Sequence, residues 1–185
     1  MLKPKQRYLA VEYLICSNAK FIQTRKLSET MDVNFVNPFL KSLLNVLETM
    51  AQLELKPGKP GLKRDELARG DVSGLIGMVG PQTKGSLSIS FDKGLAIEIM
   101  RRMLGEAPDS INEEVTDMVG EITNMVTGGA KRLLADSGYD FDMATPVVVS
   151  GPSHTITHKT EGPKVLIPFT SIHGHATIEI CFENV

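Results

Sequence analysis

The chain has 185 residues, 42% of them hydrophobic, and 20 Lys and Arg against 22 Asp and Glu leave a formal charge of -2. That length suits one globular domain with an appendage, and such a chain buries about 70% of its unfolded surface without staples. The balanced charge and the lack of a basic stripe with interleaved aromatics exclude nucleic acid as a partner, and no apolar run approaches the roughly eighteen residues that span a membrane.

Cys16 and Cys181 are far apart and lack metal-ligand spacing, so they read as reduced, buried thiols of a cytoplasmic protein. Lys3, Lys5 and Arg7 precede an apolar run over residues 8–16 with the outline of a signal peptide, but Glu12 interrupts it and no small-residue cleavage site follows. Met31 opens a cleaner start, which divides the chain into an N-terminal extension of unassigned role, residues 1–30, and a domain, residues 31–185.

Asn37 and Pro38 read as the N-cap and first position of a helix. Phe39, Leu40, Leu43, Leu44, Leu47 and Met50 then recur at helical spacing to about Gln52. Residues 53–56 alternate like a short strand, and the Gly-, Pro- and charge-rich stretch 57–70 reads as a loop or a short turn of helix. Residues 75–79 and 86–91 read as strands joined through 80–85. In the second, serines alternate with Leu87, Ile89 and Phe91, which predicts one wet face and one face on the core. Asp92 caps a helix with Leu95, Ile99, Met100, Met103 and Leu104 inward, ended by Gly105.

A capping box from Ser110 to Glu113 opens a helix over residues 111–134. Its predicted buried stripe is Ile111, Val115, Met118, Val119, Ile122, Met125, Val126 and Leu133. Strands follow at 146–149, near 154–159, and at 164–169 and 176–182. Ile178, Ile180 and Phe182 echo Leu87, Ile89 and Phe91, so each half reads as a long helix plus a hairpin. That pattern suggests a diverged internal duplication, with chance similarity of amphipathic strands as the alternative. The fold class that follows is α+β in two layers, an antiparallel sheet with two long helices on one face.

The second long helix carries Asp117, Glu121 and Asn124 in one column beside its apolar stripe. Asn costs about 0.5 kcal/mol or more in a helix interior relative to Ala. A carboxylate and a carboxamide side by side on a rigid element can grip a cation and orient a water. A solvated helix face is the plain alternative for this column.

Asp117, Glu121 and Asn124, with Thr145-Pro146 some twenty residues on, resemble the signature of the CheC/CheX/FliY phosphatases. Within that family the stretch 31–185 is closest to the CheX branch, sharing the Asn37-Pro38-Phe39 opening and the glycine pair after Asn124. The resemblance implies a phosphatase for the aspartyl phosphate of a CheY-like response regulator in chemotaxis. Asn124 would orient the attacking water, since an amide offers donor and acceptor without negative charge. Glu121, badly placed to act on a phosphate, would pair with a lysine of the receiver, and Asp117 would extend that contact. Gly128, on the same column, would let the partner's backbone approach; packing on a neighbouring helix explains it equally.

The resemblance further implies no cofactor of the chain's own, Mg²⁺ being supplied by the receiver, and a homodimer. Aligning Asn45 with Asn124 places Ser42 where Glu121 would stand, and Glu48 falls on the wrong side, so the first half lacks a second intact site. That agrees with the one-site CheX pattern. The rival reading is a non-catalytic receiver-binding or flagellar-switch adaptor. A metal or ligand site rests only on His154, His158, His173 and His175, which polar strand positions explain as well. The methionines fall mostly at inward helix phases and read as core.

Overall fold

The computed structural model describes residues 33–81 and 83–184. The extension over 1–30, Met31 and Cys16 lie outside them. The first helix, α1 (Val33–Ala51), begins ahead of its expected cap, with Pro38 inside it. Burial explains the earlier start. Phe35 is inserted among Phe39, Tyr139 and Phe182, with ring centroids 5.6, 5.4 and 4.6 Å away. Val36 is buried as well, and burying each such side chain stabilises by about 1.5–3 kcal/mol, which offsets the hydrogen bond lost at proline.

Short strands β1 (Lys56–Pro57) and β2 (Gly61–Leu62) lead to the hairpin β3 (Val72–Val79) and β4 (Thr83–Phe91). Helix α2 (Lys93–Leu104) follows, then α3 (Glu113–Ala135), β5 (Asp142–Met143), β6 (Val147–Ser150) and the hairpin β7 (Lys164–Ser171) and β8 (Gly174–Asn184). The strands form one eight-stranded sheet in the order β1-β7-β8-β4-β3-β5, with β2 also on β7 and β6 also on β3. Every pairing is antiparallel. The halves repeat one plan, helix, short strands, hairpin, and each half lends its short strands to the other's hairpin. The α+β, two-layer expectation holds, with α1 and α3 packed on each other over one face.

That face is apolar. Leu87, Ile89, Phe91, Ile178, Ile180, Val165, Ile167 and Phe169 are buried beneath the helices. The other face differs from expectation, because Ser86, Ser88 and Ser90 are buried rather than wet. Residues 63–69 and 151–162 run across it as two irregular straps, joined by Ala68 N–H to His154 O at 2.9 Å and Ile156 N–H to Glu66 O at 2.8 Å. Of the strand expected near 154–159, only one bridge, Leu67 to Thr155, is present.

Small hydroxyls and histidines fill the space under the straps. Ser73 Oγ lies 2.6 Å from Ser90 Oγ and 2.7 Å from His154 Nε2. Ser86 Oγ lies 2.6 Å from His158 Nδ1. Beside them Lys63 Nζ donates to Glu179 Oε1 at 2.6 Å, with both side chains fully enclosed. Polar alternation in β4 therefore marks two chemically distinct buried faces, since a serine can satisfy its one hydroxyl inside a protein.

Helix ends also depart in detail. Asp92 turns its carboxylate to the His175 N–H at 2.9 Å, while Asp71 Oδ2 accepts the Lys93 N–H of α2 at 2.7 Å. Leu104, expected inward, is 64% exposed. In α3 the cap is Asn112, and of the leucine pair Leu134 is buried, keeping the phase of Val126 and Ala130, while Leu133 faces out.

The enclosed ion pair generates a prediction. Lys63→Met strands a carboxylate in the interior and should lower stability by about 3–5 kcal/mol, whereas Lys63→Met with Glu179→Leu should recover most of the loss. Urea denaturation of the two variants measures both.

Candidate functional site

Helix α3 is fixed from its inner side. Asn112 Oδ1 accepts the Val115 N–H at 3.1 Å, satisfying one of the free donors of the first turn. Val115, Val119, Ile122, Val126, Ala130 and Leu134 are buried. So are Thr123 and Thr127, which the periodicity of apolar residues could not reveal. Two glycines let backbones approach closely. A Cβ on Gly74 of β3 would collide with Thr123 Oγ1, and one on Gly129 would collide with Ser42 Oγ of α1.

With that side committed to the core, the opposite side of α3 presents Asp117, Glu121 and Asn124 to solvent. They form one wall of an open groove of about 750 Å³, with Glu113 and Thr116 nearer the helix start. The facing wall is Met143, Ala144, Thr145, Pro146 and Val148. Its position follows from β3, on which β5 and β6 pair, and from Ala144 N–H donating to Gly77 O at 3.0 Å. Gly120 stands between the walls, where a Cβ would come 3.4 Å from Val148 Cγ2.

The walls differ chemically. The helix wall carries three carboxylates and an amide; the strand wall is apolar apart from the Thr145 hydroxyl. Among the described residues no side chain bonds to Asp117, Glu121 or Asn124. Farther along the column, Lys131 Nζ lies 3.5 Å from Asp140 and 4.0 Å from Asp142, and 5.7 Å from the Phe141 ring centroid. These contacts tie the end of α3 to the segment that enters the strand wall.

The structure thus brings Asp117, Glu121, Asn124 and Pro146 into one groove. Gly128 is outside its lining and has open space around it, and the glycine that packs against α1 is its neighbour Gly129. Sequence reasoning missed Met143, Ala144 and Val148, because membership of the strand wall depends on pairing across the chain. It also missed Glu113, Thr116 and Gly120, although these lie on α3 itself and within reach of the same helical period. In the first half, Asn45 is exposed but Ser42 is buried against Gly129, so the position aligned with Glu121 does not reach the surface.

The histidines are engaged elsewhere. His154 and His158 sit under the straps, and His175 Nδ1 lies 2.8 Å from Asp92. His173 lies 3.8 Å from Glu98, a carboxyl held below its usual range chiefly by hydrogen bonding from Arg102. Among the described residues no group of three or more His, Cys, Asp or Glu is placed to hold a metal ion. No helix of the described residues is long and apolar enough to cross a membrane.

The sequence profile of the family described as chemotaxis phosphatase CheX matches residues 72–170. The chain is 74% identical to a chemotaxis protein CheX from Vibrio vulnificus, covering 82% of this chain and 100% of that one, with a TM-score of 0.78. It is 72% identical to a CheC-like superfamily protein from Shewanella sp. PV-4, covering 83% and 99%, with a TM-score of 0.79. A CheX solved as a CheX-CheY-BeF3-Mg²⁺ complex from Borrelia burgdorferi is 26% identical over 82% and 99%, with a TM-score of 0.69. No curated protein sequence matches significantly.

The two adjacent glycines of α3 should respond oppositely to alanine. Gly128→Ala meets nothing and should stabilise the helix by about 0.5–1 kcal/mol. Gly129→Ala drives into Ser42 and should cost about 1–3 kcal/mol. Thermal unfolding of both variants checks the pair.

Proposed function

The chain belongs to the CheX family of chemotaxis phosphatases, and from that premise we propose that it hydrolyses the aspartyl phosphate of a CheY-like receiver domain. An acyl phosphate is already activated, so little covalent chemistry is required of the catalyst. What is needed is a water held in line with phosphorus, which is an orientation problem. Asn124 performs it, its amide accepting from the water and donating to the oxygens around it. Glu121 pairs with a receiver lysine and sets the register of docking, and Asp117 lengthens that polar contact. The strand wall of Met143, Pro146 and Val148 receives apolar surface of the same partner. Mg²⁺ belongs to the receiver, and this chain brings no cofactor of its own.

One observation carries the reading. Glu121 and Asn124 stand adjacent on a rigid, solvent-facing helix wall, and no other side chain of the described residues occupies them. The Borrelia burgdorferi relative, in complex with CheY, supports the choice of partner. The protein works in the cytoplasm as a homodimer, for which sedimentation should give twice the chain mass of 20.2 kDa. Half that value would remove the dimer without touching the site.

Loss of phosphate from a phosphorylated CheY-like receiver in Mg²⁺ tests the mechanism. Asn124→Ala should slow the accelerated reaction by about 10²-fold or more, the scale set by losing one orienting donor, while keeping receiver binding. Glu121→Ala should weaken binding and turnover together. A wild type that binds without accelerating would make the protein an adaptor.

A further inference from the structure

Thr123 and Thr127 lie at zero exposure on the core side of α3, in the same turns that present Glu121 and Asn124 on the other side. A buried position of this size and branching is filled equally well by valine, which carries no polar group into the interior. Here two hydroxyls are present instead, and neither reaches across to another element. Thr123 Oγ1 donates to Val119 O at 2.7 Å, and Thr127 Oγ1 donates to Thr123 O at 2.8 Å. Both are bonds from a side chain to the carbonyl one turn back in the same helix, where the helical N–H already donates. Such a bond makes one carbonyl serve two donors, tilts it, and bends the local helix axis.

We propose that Thr123 and Thr127 form a positioning ladder, 119–123–127, whose hydroxyls set the local course of α3 and thereby the aim of Asn124. The inference rests on the phosphatase reading of the groove. Three features agree with it. The rungs span the stretch between Val119 and Thr127, which contains both Glu121 and Asn124. The neighbouring strand accommodates the upper rung specifically, since Gly74 leaves the space that Thr123 Oγ1 occupies. Gly74 is also the Cα partner of Val148 in the facing wall, so the rung lies where helix and strand wall are both referenced to β3. An in-line reaction is sensitive to displacements of this kind, because a shift of about 1 Å in a positioned group can cost about 10²-fold in rate.

The ladder acts through Asn124 and touches no substrate, so its test must separate aim from integrity. Thr123→Val keeps the shape and deletes the hydroxyl; Thr123→Ser keeps the hydroxyl and deletes the methyl. For each, and for Thr127→Val, the melting temperature, the affinity for a BeF3-activated receiver, and turnover at saturating receiver phosphate are measured. Thr123→Val should melt at or above the wild-type temperature and bind within about twofold, while turnover falls about tenfold. Thr127→Val should show a smaller fall of the same kind, and Thr123→Ser should retain most of the turnover. Wild-type turnover in folded Thr123→Val and Thr127→Val overturns the ladder while leaving the phosphatase reading intact. An equal loss in Thr123→Ser and Thr123→Val assigns the effect to general disturbance of the buried position rather than to the hydroxyl, and likewise overturns it. A wild type without turnover overturns both.

Discussion

The groove is organised around one close contact between helix and sheet. Gly74 lets β3 approach α3 so nearly that a side chain there would strike Thr123. The same residue pairs with Val148, the member of β6 that faces Gly120 across the groove. Both walls are therefore referenced to one backbone position, which holds their separation without any bond crossing the opening. Were a methyl group added at that point, the helix would have to lift or turn, and the polar column would move relative to Pro146 and Val148. Interiors packed at crystal-like density transmit such displacements, having no free volume to absorb them.

How far the site was legible in the sequence follows from which constraints are local. The column Asp117, Glu121, Asn124 needs only the 3.6-residue period, and the helix runs as that period predicts. The inner side was read less well, because hydroxyl residues do not announce burial. Thr123 and Thr127 and the serines of β4 are all enclosed, and Thr123, Thr127, Ser86 and Ser90 each find a hydrogen-bond partner within the fold. Lys63 falls in the charge-rich stretch 57–70, which reads locally as a loop or turn, yet its ammonium meets Glu179 beneath a strap. A carboxylate in β8 and a lysine more than a hundred positions earlier carry no local mark of their pairing. The early start of α1 has the same character, since a proline in its second turn argues against it and only the aromatic cluster around Phe35 outweighs that argument.

The repeated plan of the two halves sharpens the meaning of the single site. α1 and α3 occupy matching places over the sheet, each followed by short strands and a hairpin. Yet their contact is asymmetric. Where the helices pack, Ser42 of α1 lies against Gly129 of α3, so the residue aligned with Glu121 faces its sister helix. A glutamate at position 42 would have to push the helices apart or bury its charge, and either outcome is costly. Loss of the second site and close helix packing are thus two aspects of the same residue choice.

The unlike walls also indicate what kind of substrate suits the groove. A pocket that performs chemistry on a small molecule encloses it, excludes water and converges polar groups from several sides. Here one helix supplies all the carboxylates and the amide, the facing strands supply apolar surface with a single hydroxyl, and the opening is broad. Such a surface can add one oriented group and a set of docking contacts to a centre already assembled on another protein, and it offers little to a free phosphate ester. For that role the fold must hold a helix still, and the buried layers on both faces of the sheet serve this requirement. The apolar face seats α3, and the hydroxyl and ion-pair layer clamps the strap that continues from β6, so each wall of the groove is backed by its own interior.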